Sequence, residues 1–141
     1  MKKHLNANCI FCDDIREEAT GKLILIGVYS GQIVVPGPLE KGGLTVSQFI
    51  QIRGLSQGSH SFSLRMERYT DGALDGTSEI EGEFEVEDED VDATVVAGNL
   101  KVHLKAESLL KAILTVEGYE SQEIGSFRIV FDSEIASPDF D

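Results

Sequence analysis

The sequence predicts an all-β protein, and three observations support that prediction. Charged and uncharged residues alternate without a break from Glu79 to Glu87. Because successive side chains of a strand point to opposite faces, this run predicts a strand with one wet and one dry face. Other strand signals recur at roughly ten- to fifteen-residue intervals. Helical periodicity is almost missing, since the best helical candidates, Arg16–Ala19 and Glu107–Lys111, are only about one turn long.

The composition is typical of one folded domain, predicted here to span residues 1–141. Hydrophobic residues make up 41% and charged residues 26% of the chain, and tryptophan is absent. Valine, isoleucine and leucine must therefore supply most of the core. The predicted domain ends in an acidic tail, residues 132–141, which we expect to be mobile.

The charge balance restricts the partners that the protein can bind. Twelve Lys and Arg residues face 25 Asp and Glu residues, a formal net charge of -13. Such an excess repels nucleic acid and anionic membranes. We therefore expect no direct binding to either, and instead a protein partner or self-association.

No export or membrane segment is evident in the sequence. Lys2 and Lys3 are basic, but the polar run Asn6–Asn8 interrupts any apolar stretch after them. The longest strongly apolar stretch, Leu23–Val28, is far shorter than the roughly 20 residues of a membrane helix. We therefore expect a cytoplasmic protein.

Eight strands are predicted along the chain, separated by turn signals rich in glycine, proline and aspartate. The second strand is apolar on both faces, which is typical of a central strand. The long loop that follows it contains a possible short bridge strand at Ile33–Val35. The predicted strand ranges are 8–15, 22–29, 44–54, 60–69, 79–87, 99–104, 112–117 and 124–131.

The fourth and fifth strands are predicted to form a hairpin around a loop at Thr70–Gly76. Pairing by alternation places Phe62 opposite Phe84 on the dry face. Arg65 then lies opposite Glu81 on the wet face, which is a favourable cross-strand pair.

The number and spacing of the strands favour an antiparallel two-sheet sandwich of about eight strands. The segment Ile52–Phe62 resembles the strand, glycine-containing turn and strand of immunoglobulin-like domains. We therefore expect an immunoglobulin-like general shape. A likeness of this kind indicates shape and carries no function.

The N-terminal third carries a more specific resemblance. The segments Phe11–Arg16, Gly21–Lys22 and Leu25–Tyr29 resemble the opening of a family of small bacterial proteins without a known function. This resemblance implies a stand-alone β domain of bacteria or their phages, and it transfers no catalytic residue. The residues themselves predict a local role, in which an Asp–Arg ion pair ties down the end of the first strand.

The two cysteines, Cys9 and Cys12, have the Cys-x-x-Cys spacing of some metal and redox sites. Residues three apart on a strand face opposite sides, however, and cannot close on one ion. We therefore predict one buried and one outward cysteine, with no metal and no cofactor.

No catalytic constellation is evident. The chain lacks a Gly-x-Ser-x-Gly elbow, and the serines beside His60 are strand neighbours that face the other way. The loop Gly37–Gly43 has a lysine but lacks the Gly-Lys-Ser/Thr order of a phosphate-binding loop. The sequence therefore predicts that the protein is not an enzyme.

The first functional hypothesis is a non-catalytic protein-interaction module of a bacterium or phage. It depends on the missing catalytic groups, the exposed strand patterns and the long loop rich in proline and glycine. The candidate partner-binding residues are the outward glutamates of the predicted fifth strand: Glu79, Glu81, Glu83, Glu85 and Glu87.

Two alternatives use the acidic residues differently. In the first, the protein is a DNA mimic that occupies the basic groove of a DNA-binding enzyme. Its glutamates would repeat every ~6.7 Å, which is about twice the spacing of phosphates along a DNA strand. In the second, Asp88, Asp90 and Asp92 hold calcium in a ligand-binding domain, because Ca²⁺ prefers several oxygen ligands. Runs of charge are more often simply solvated.

Overall fold

The computed structural model describes residues 3–134, apart from the side chains of residues 39–42. This part of the chain is all-β, as predicted, and includes no helix long and apolar enough to cross a membrane. The strands that it contains are β1 (Asn6–Glu17), β2 (Leu23–Val28), β3 (Gln32–Val35), β4 (Leu39–Arg53), β5 (Gly58–Thr70), β6 (Ala73–Val86), β7 (Ala93–Leu104), β8 (Ser108–Val116) and β9 (Gln122–Phe131).

The strands form two sheets. One has four strands in the order β2-β1-β4-β7, and the other has five in the order β3-β9-β8-β5-β6. The predicted two-sheet architecture is therefore confirmed, with nine strands in the described residues where about eight were expected. The additional strand is β3, the predicted bridge segment. It pairs with β9 in parallel, so the prediction of a wholly antiparallel sandwich is wrong at this edge.

The core lies between the two sheets and is built mainly from aliphatic side chains. Leu110, Leu114 and Val116 alternate along β8 with half-buried neighbours, as expected for a central strand with one face on the core. Phe127 of β9 is the largest fully buried side chain of the described residues. The centroids of its ring and the Phe11 ring lie 4.8 Å apart. The core therefore joins β1 of the four-stranded sheet to β8 and β9 of the five-stranded sheet.

The prediction that the second strand lies centrally is wrong. Within the described residues, β2 is an edge strand that pairs with β1. Apolar side chains on both faces are typical of a strand buried in a sheet, but the sequence of one strand does not determine its neighbours. On β2 the same pattern leaves Ile24, Ile26 and Val28 exposed to solvent.

The hairpin of β5 and β6 has the predicted faces but a different register. Phe62 lies opposite Gly82, two residues from the expected Phe84. The predicted loop at Thr70–Gly76 is in fact a two-residue turn at Asp71 and Gly72, whose positive φ angles are those of a type I′ turn. An irregularity between Arg68 and Tyr69 then displaces the pairing of the two strands by one residue. Turn geometry therefore determines this register.

The new register also changes the predicted ion pair. Arg65 lies opposite Glu79 rather than Glu81. Its guanidinium binds Glu67, two residues along the same strand, with Nε and Oε2 3.0 Å apart. The predicted tail falls largely on residues 135–141, which lie outside the described residues.

A glycine in the glutamate strand tests this register. In the structure, a Cβ at Gly82 would lie 2.9 Å from the ring of Phe62, which packs against Phe84. We expect Gly82→Ala to lower the free energy of unfolding by about 1–3 kcal/mol, measured by urea denaturation, because the ring must move. The matched control is Gly98→Ala, whose Cβ would meet Ser47 Oγ at an ordinary 3.8 Å. Equal effects of the two substitutions would contradict the observed register.

Candidate functional site

The β1–β2 hairpin turns through three residues with glycine at the last position. The Gly21 amide donates to the Glu18 carbonyl oxygen at 2.9 Å, and the Glu18 amide donates to the Lys22 carbonyl oxygen at 2.8 Å. Gly21 has a φ of 86°, a left-handed conformation that favours glycine. This is the common three-residue hairpin loop, in which a type I turn is followed by a left-handed residue.

The turn determines which backbone groups of β2 face the free edge. Antiparallel pairs alternate between hydrogen-bonded and non-hydrogen-bonded positions. Since Glu18 and Lys22 are hydrogen-bonded, the pair of Arg16 and Ile24 is hydrogen-bonded as well. The intervening residues Leu23 and Leu25 therefore direct their N–H and C=O groups away from β1, towards the open edge of the sheet.

The turn end of this hairpin lies beyond the main core. Asn6–Cys12 of β1 pair with β4, whereas Asp14–Glu17 have only β2 among the strand pairs of the described residues. We call this part of the hairpin, from Asp13 to Val28, the ribbon. Isolated two-stranded hairpins are marginal in water, so the ribbon depends on further contacts for its stability.

The ribbon has apolar side chains on both faces. Ile24, Ile26 and Val28 lie on one face with exposed fractions of 43%, 40% and 57%. Leu23 and Leu25, on the other face, are half-buried but are not among the residues of the hydrophobic core. Contiguous exposed apolar surface is one of the features found at interaction sites.

The apolar face of the ribbon continues onto the four-stranded sheet. Val28 pairs with Cys12, and in the next row Ile10 pairs with Phe49, which in turn pairs with Val96. Residues directly opposite one another share a face of the sheet. Val96 is 46% exposed. Exposed Val28 and Val96 therefore lie at opposite ends of two apolar rows, with the half-buried Ile10 and Phe49 and the fully buried Cys12 between them.

An anchor holds β2 in place at the base of the ribbon. The Tyr29 hydroxyl donates to Asp13 Oδ1 at 2.9 Å, and the Tyr29 ring packs edge-on against Phe127 with centroids 5.1 Å apart. Gly27, with a φ of 69°, lies beneath the Asp13 carboxylate, and any Cβ there would overlap it. These residues belong to the N-terminal motif, so the motif has a structural role at this position.

The predicted ion pair at the end of the first strand is present. Arg16 Nε lies 3.1 Å from Asp14 Oδ2, and both side chains are substantially exposed. The Asp14 Oδ1 atom also accepts a hydrogen bond from the Ile15 amide at 2.9 Å. An exposed pair of this kind contributes little to the free energy of unfolding. Arg16 lies opposite Ile24 and Asp14 lies opposite Ile26, so the pair shares the face of the ribbon that carries these exposed isoleucines.

The other three sheet edges carry features that discourage pairing with another chain. β6 is an edge strand with a row of glutamates, and β3 is only four residues long. β7 is interrupted where its register with β4 shifts, next to Asn99 with its φ of 60°. Within the described residues β2 differs from these edges, because Leu23–Val28 contains no charge and no proline, and its irregularity is the positive φ of Gly27 near its end.

The candidate glutamates lie on the outer face of the five-stranded sheet. Glu79, Glu81, Glu83 and Glu85 are exposed on β6, and Glu87 follows the end of that strand. The serines of β5 contact two of these carboxylates. Ser63 Oγ donates to Glu79 at 2.8 Å, and Ser61 Oγ donates to Glu83 at 3.4 Å. The glutamates therefore form an exposed acidic row on β6, and its binding role stays a prediction.

The structure does not bring the calcium candidates together as a ligand set. Asp88 Oδ1 accepts the Asp90 amide at 2.9 Å, which closes a local turn. Asp92 binds Arg53, with Nε and Oδ2 3.2 Å apart. In residues 3–38 and 43–134, no group of three or more His, Cys, Asp or Glu side chains is placed to hold a metal ion. Calcium binding stays a prediction.

The two cysteines are both shielded, which corrects the expectation that one would point outward into solvent. Cys12 is fully buried, and Cys9 is half-buried against the core. Burial, and then the charge of Cys12, raises the pKa of Cys9 to about 12. Burial and then Asp13 raise the pKa of Cys12. Thiolates are the reactive form of cysteine, so this arrangement disfavours redox chemistry.

Within the described residues, His60 makes no side-chain hydrogen bond to Ser59 or Ser61. Its Nε2 atom lies 2.7 Å from the Ser56 carbonyl oxygen, and its ring stacks on Phe84 with centroids 5.7 Å apart. It therefore belongs to the aromatic packing at the rim of the sandwich.

Two packed antiparallel-rich sheets, as the described residues show them, define a small all-β sandwich protein. The profile of a family of unknown function (DUF6941) matches residues 8–129 of the chain. The protein therefore belongs to this family, in agreement with the expectation of a family without known function. No curated protein matches the chain.

Sequence reasoning missed the β2 edge as a candidate site. The apolar run Leu23–Val28 was visible, but it was assigned to the core because its neighbours were unknown. The short turn Ala19–Gly21, with its left-handed glycine, was the available signal for a hairpin with β1.

The buried thiols and Tyr29 predict how stability depends on pH. The pKa of Tyr29 is raised by burial and by its hydrogen bond to Asp13. In the unfolded chain these acids ionise at about pH 8.5 for Cys and about pH 10 for Tyr. Since the unfolded state then binds fewer protons than the folded one, the stability present below these values is lost as the pH rises.

We therefore expect the urea midpoint to fall between about pH 8 and about pH 10.5. The Cys9→Ala variant should show a smaller fall, because it removes one of the groups that titrate. An unchanged midpoint over this range, or an undiminished fall in the variant, would contradict this account.

Proposed function

We propose that this protein is a non-catalytic protein-interaction module whose contact strand is β2. The observation that carries the proposal is the contrast among the four sheet edges. Within the described residues, β6 carries glutamates, β3 has only four residues and β7 has a register shift, whereas β2 has six uncharged residues with a kink at Gly27 near its end. An edge with free N–H and C=O groups is a template for strand addition by another chain.

The arrangement of side chains supports the same proposal. Ile24, Ile26 and Val28 form an exposed row beside the open edge, and Leu23 and Leu25 form a second row on the opposite face. In strand addition the backbone provides affinity and the alternating side chains provide specificity. A strand added to β2 would cover both rows.

The anchor of Asp13 and Tyr29 supports a fixed presentation of the edge. Its hydrogen bond and the packing of Tyr29 on Phe127 join the base of the ribbon to the main core. A preordered edge loses less conformational entropy on binding than a flexible segment does.

The glutamate row supports an alternative, the DNA mimic, because four of its carboxylates lie exposed on one strand face. Charges on an edge strand are also the ordinary protection against unwanted pairing. This second role explains the row without a partner, so we place the contact on β2. Within the proposal the protein is bacterial or phage-encoded and cytoplasmic, with an immunoglobulin-like general shape.

Site-specific photocrosslinking in cells tests the proposal. Replacing Ile26 by p-benzoylphenylalanine places a photoreactive group on the β2 edge, where the side chain is 40% exposed. We expect light-dependent adducts with protein, either a second copy or another chain. The matched control replaces Ile80, which is 46% exposed on the edge strand β6, and should give few adducts.

Two results would contradict the proposal. The first is the absence of adducts from position 26 in a folded protein. The second is an equal yield from positions 26 and 80, which would indicate random collisions or a contact centred on the glutamate strand.

A further inference from the structure

We infer that the occupant of the β2 edge is the same edge of a second copy of this chain, so that the protein forms a symmetric dimer by antiparallel β2–β2 pairing. This inference rests on the proposed function and names the partner. The dimer would join two four-stranded sheets into one continuous sheet across a two-fold axis.

The outward backbone groups select the register. Leu23 and Leu25 direct their N–H and C=O groups to the open edge, as the turn at Glu18 and Lys22 requires. The register that uses both residues places Leu23 of one copy opposite Leu25 of the other. Each leucine then donates one hydrogen bond to its opposite residue and accepts one from it. The kink at Gly27 limits pairing beyond this segment.

This register is also self-complementary in its side chains. A two-fold axis brings the same surface of both copies together. Ile24 lies at that axis opposite Ile24 of the second copy, on the exposed face of the ribbon. On the opposite face, Leu23 and Leu25 contact their counterparts. Exposed aliphatic surface is therefore covered on both faces of the ribbon.

The charge distribution favours a second copy over a basic partner. The whole chain carries a formal charge of -13, so two copies repel one another over most of their surface. From Ile15 to Val28 the formal charge is zero, because Arg16 and Lys22 balance Glu17 and Glu18. The edge strand and its turn are thus a neutral region through which two acidic copies can approach, whereas Asp13 and Asp14 give the whole ribbon a formal charge of -2. A basic partner would be attracted to the glutamates of β6 instead.

Native mass spectrometry and sedimentation of the purified chain test this inference. We expect a dimer whose dissociation constant rises more than about tenfold in Leu25→Pro, which equals a loss of about 1.4 kcal/mol. Proline cannot donate the edge hydrogen bond, and it is tolerated on edge strands where the N–H faces solvent.

A second variant tests the same interface independently, in case Leu25→Pro fails to fold. Ile24→Lys changes a side chain that is 43% exposed, and it places two like charges at the two-fold axis. It should also raise the dissociation constant more than about tenfold. The control Ile80→Lys adds the same charge to β6 and should leave the dimer unchanged. Circular dichroism of each variant verifies the strand content.

Salt dependence separates aliphatic pairing from electrostatic association. From about 0.01 M to about 1 M salt the Debye length falls from about 30 Å to about 3 Å. Repulsion between two acidic copies is then screened, so the dimer should become tighter. Weakening by salt would contradict the proposed interface.

The outcomes distinguish this inference from the proposed function. A monomer at all concentrations that still gives adducts with another protein from position 26 overturns the self-pairing and leaves the interaction function standing. A monomer without such adducts overturns both. A dimer that survives Leu25→Pro and Ile24→Lys in folded form uses another surface, which also overturns the inference.

Discussion

Both sheets of this protein are open, so each leaves unpaired backbone groups along its two edges. A sandwich with two open sheets has four edge strands, and each presents N–H and C=O groups that can pair with another chain. In the described residues, β6 carries glutamates, β3 is short and β7 is irregular. The surface chemistry of the protein follows from how each edge is protected, and β2 differs from the other three.

The residues of the N-terminal motif hold the base of β2 against the opposite sheet. Asp13 accepts the hydroxyl of Tyr29, and Gly27 provides the space in which the carboxylate lies. Phe11 and Tyr29 both pack on Phe127 of the opposite sheet. The motif therefore joins the two sheets and fixes the base of the ribbon. Beyond this anchor, the apolar residues of β2 contribute little to the core and remain available for contact.

Much of the fold could be predicted from the sequence because side-chain alternation is local. The exposed faces of Glu79, Glu81, Glu83 and Glu85 follow from their spacing, and so does the core face of Val86. The position of a strand within its sheet is different, because it depends on residues far away in the chain. For this reason the apolar β2 was expected at the centre of a sheet.

The register of β5 and β6 shows a second limit of the same kind. Alternation determines the face of Phe62 but allows its partner to shift by two residues. The φ angles of Asp71 and Gly72, which determine the turn, select Gly82 as that partner. Candidate contact residues were therefore predicted on the charged strand, where the pattern was clearest. The edge that we propose as the site emerges only from the sheet order.

Hydrogen exchange on the intact chain tests directly whether β2 pairs with β2 of a second copy. The amides of Leu23 and Leu25 face the open edge, where no strand of the described residues pairs with them. The proposed dimer predicts that these two amides are protected at high protein concentration and lose protection on dilution, while the core amides of β8 stay protected. Rapid exchange of both amides at every concentration in a folded protein would contradict it.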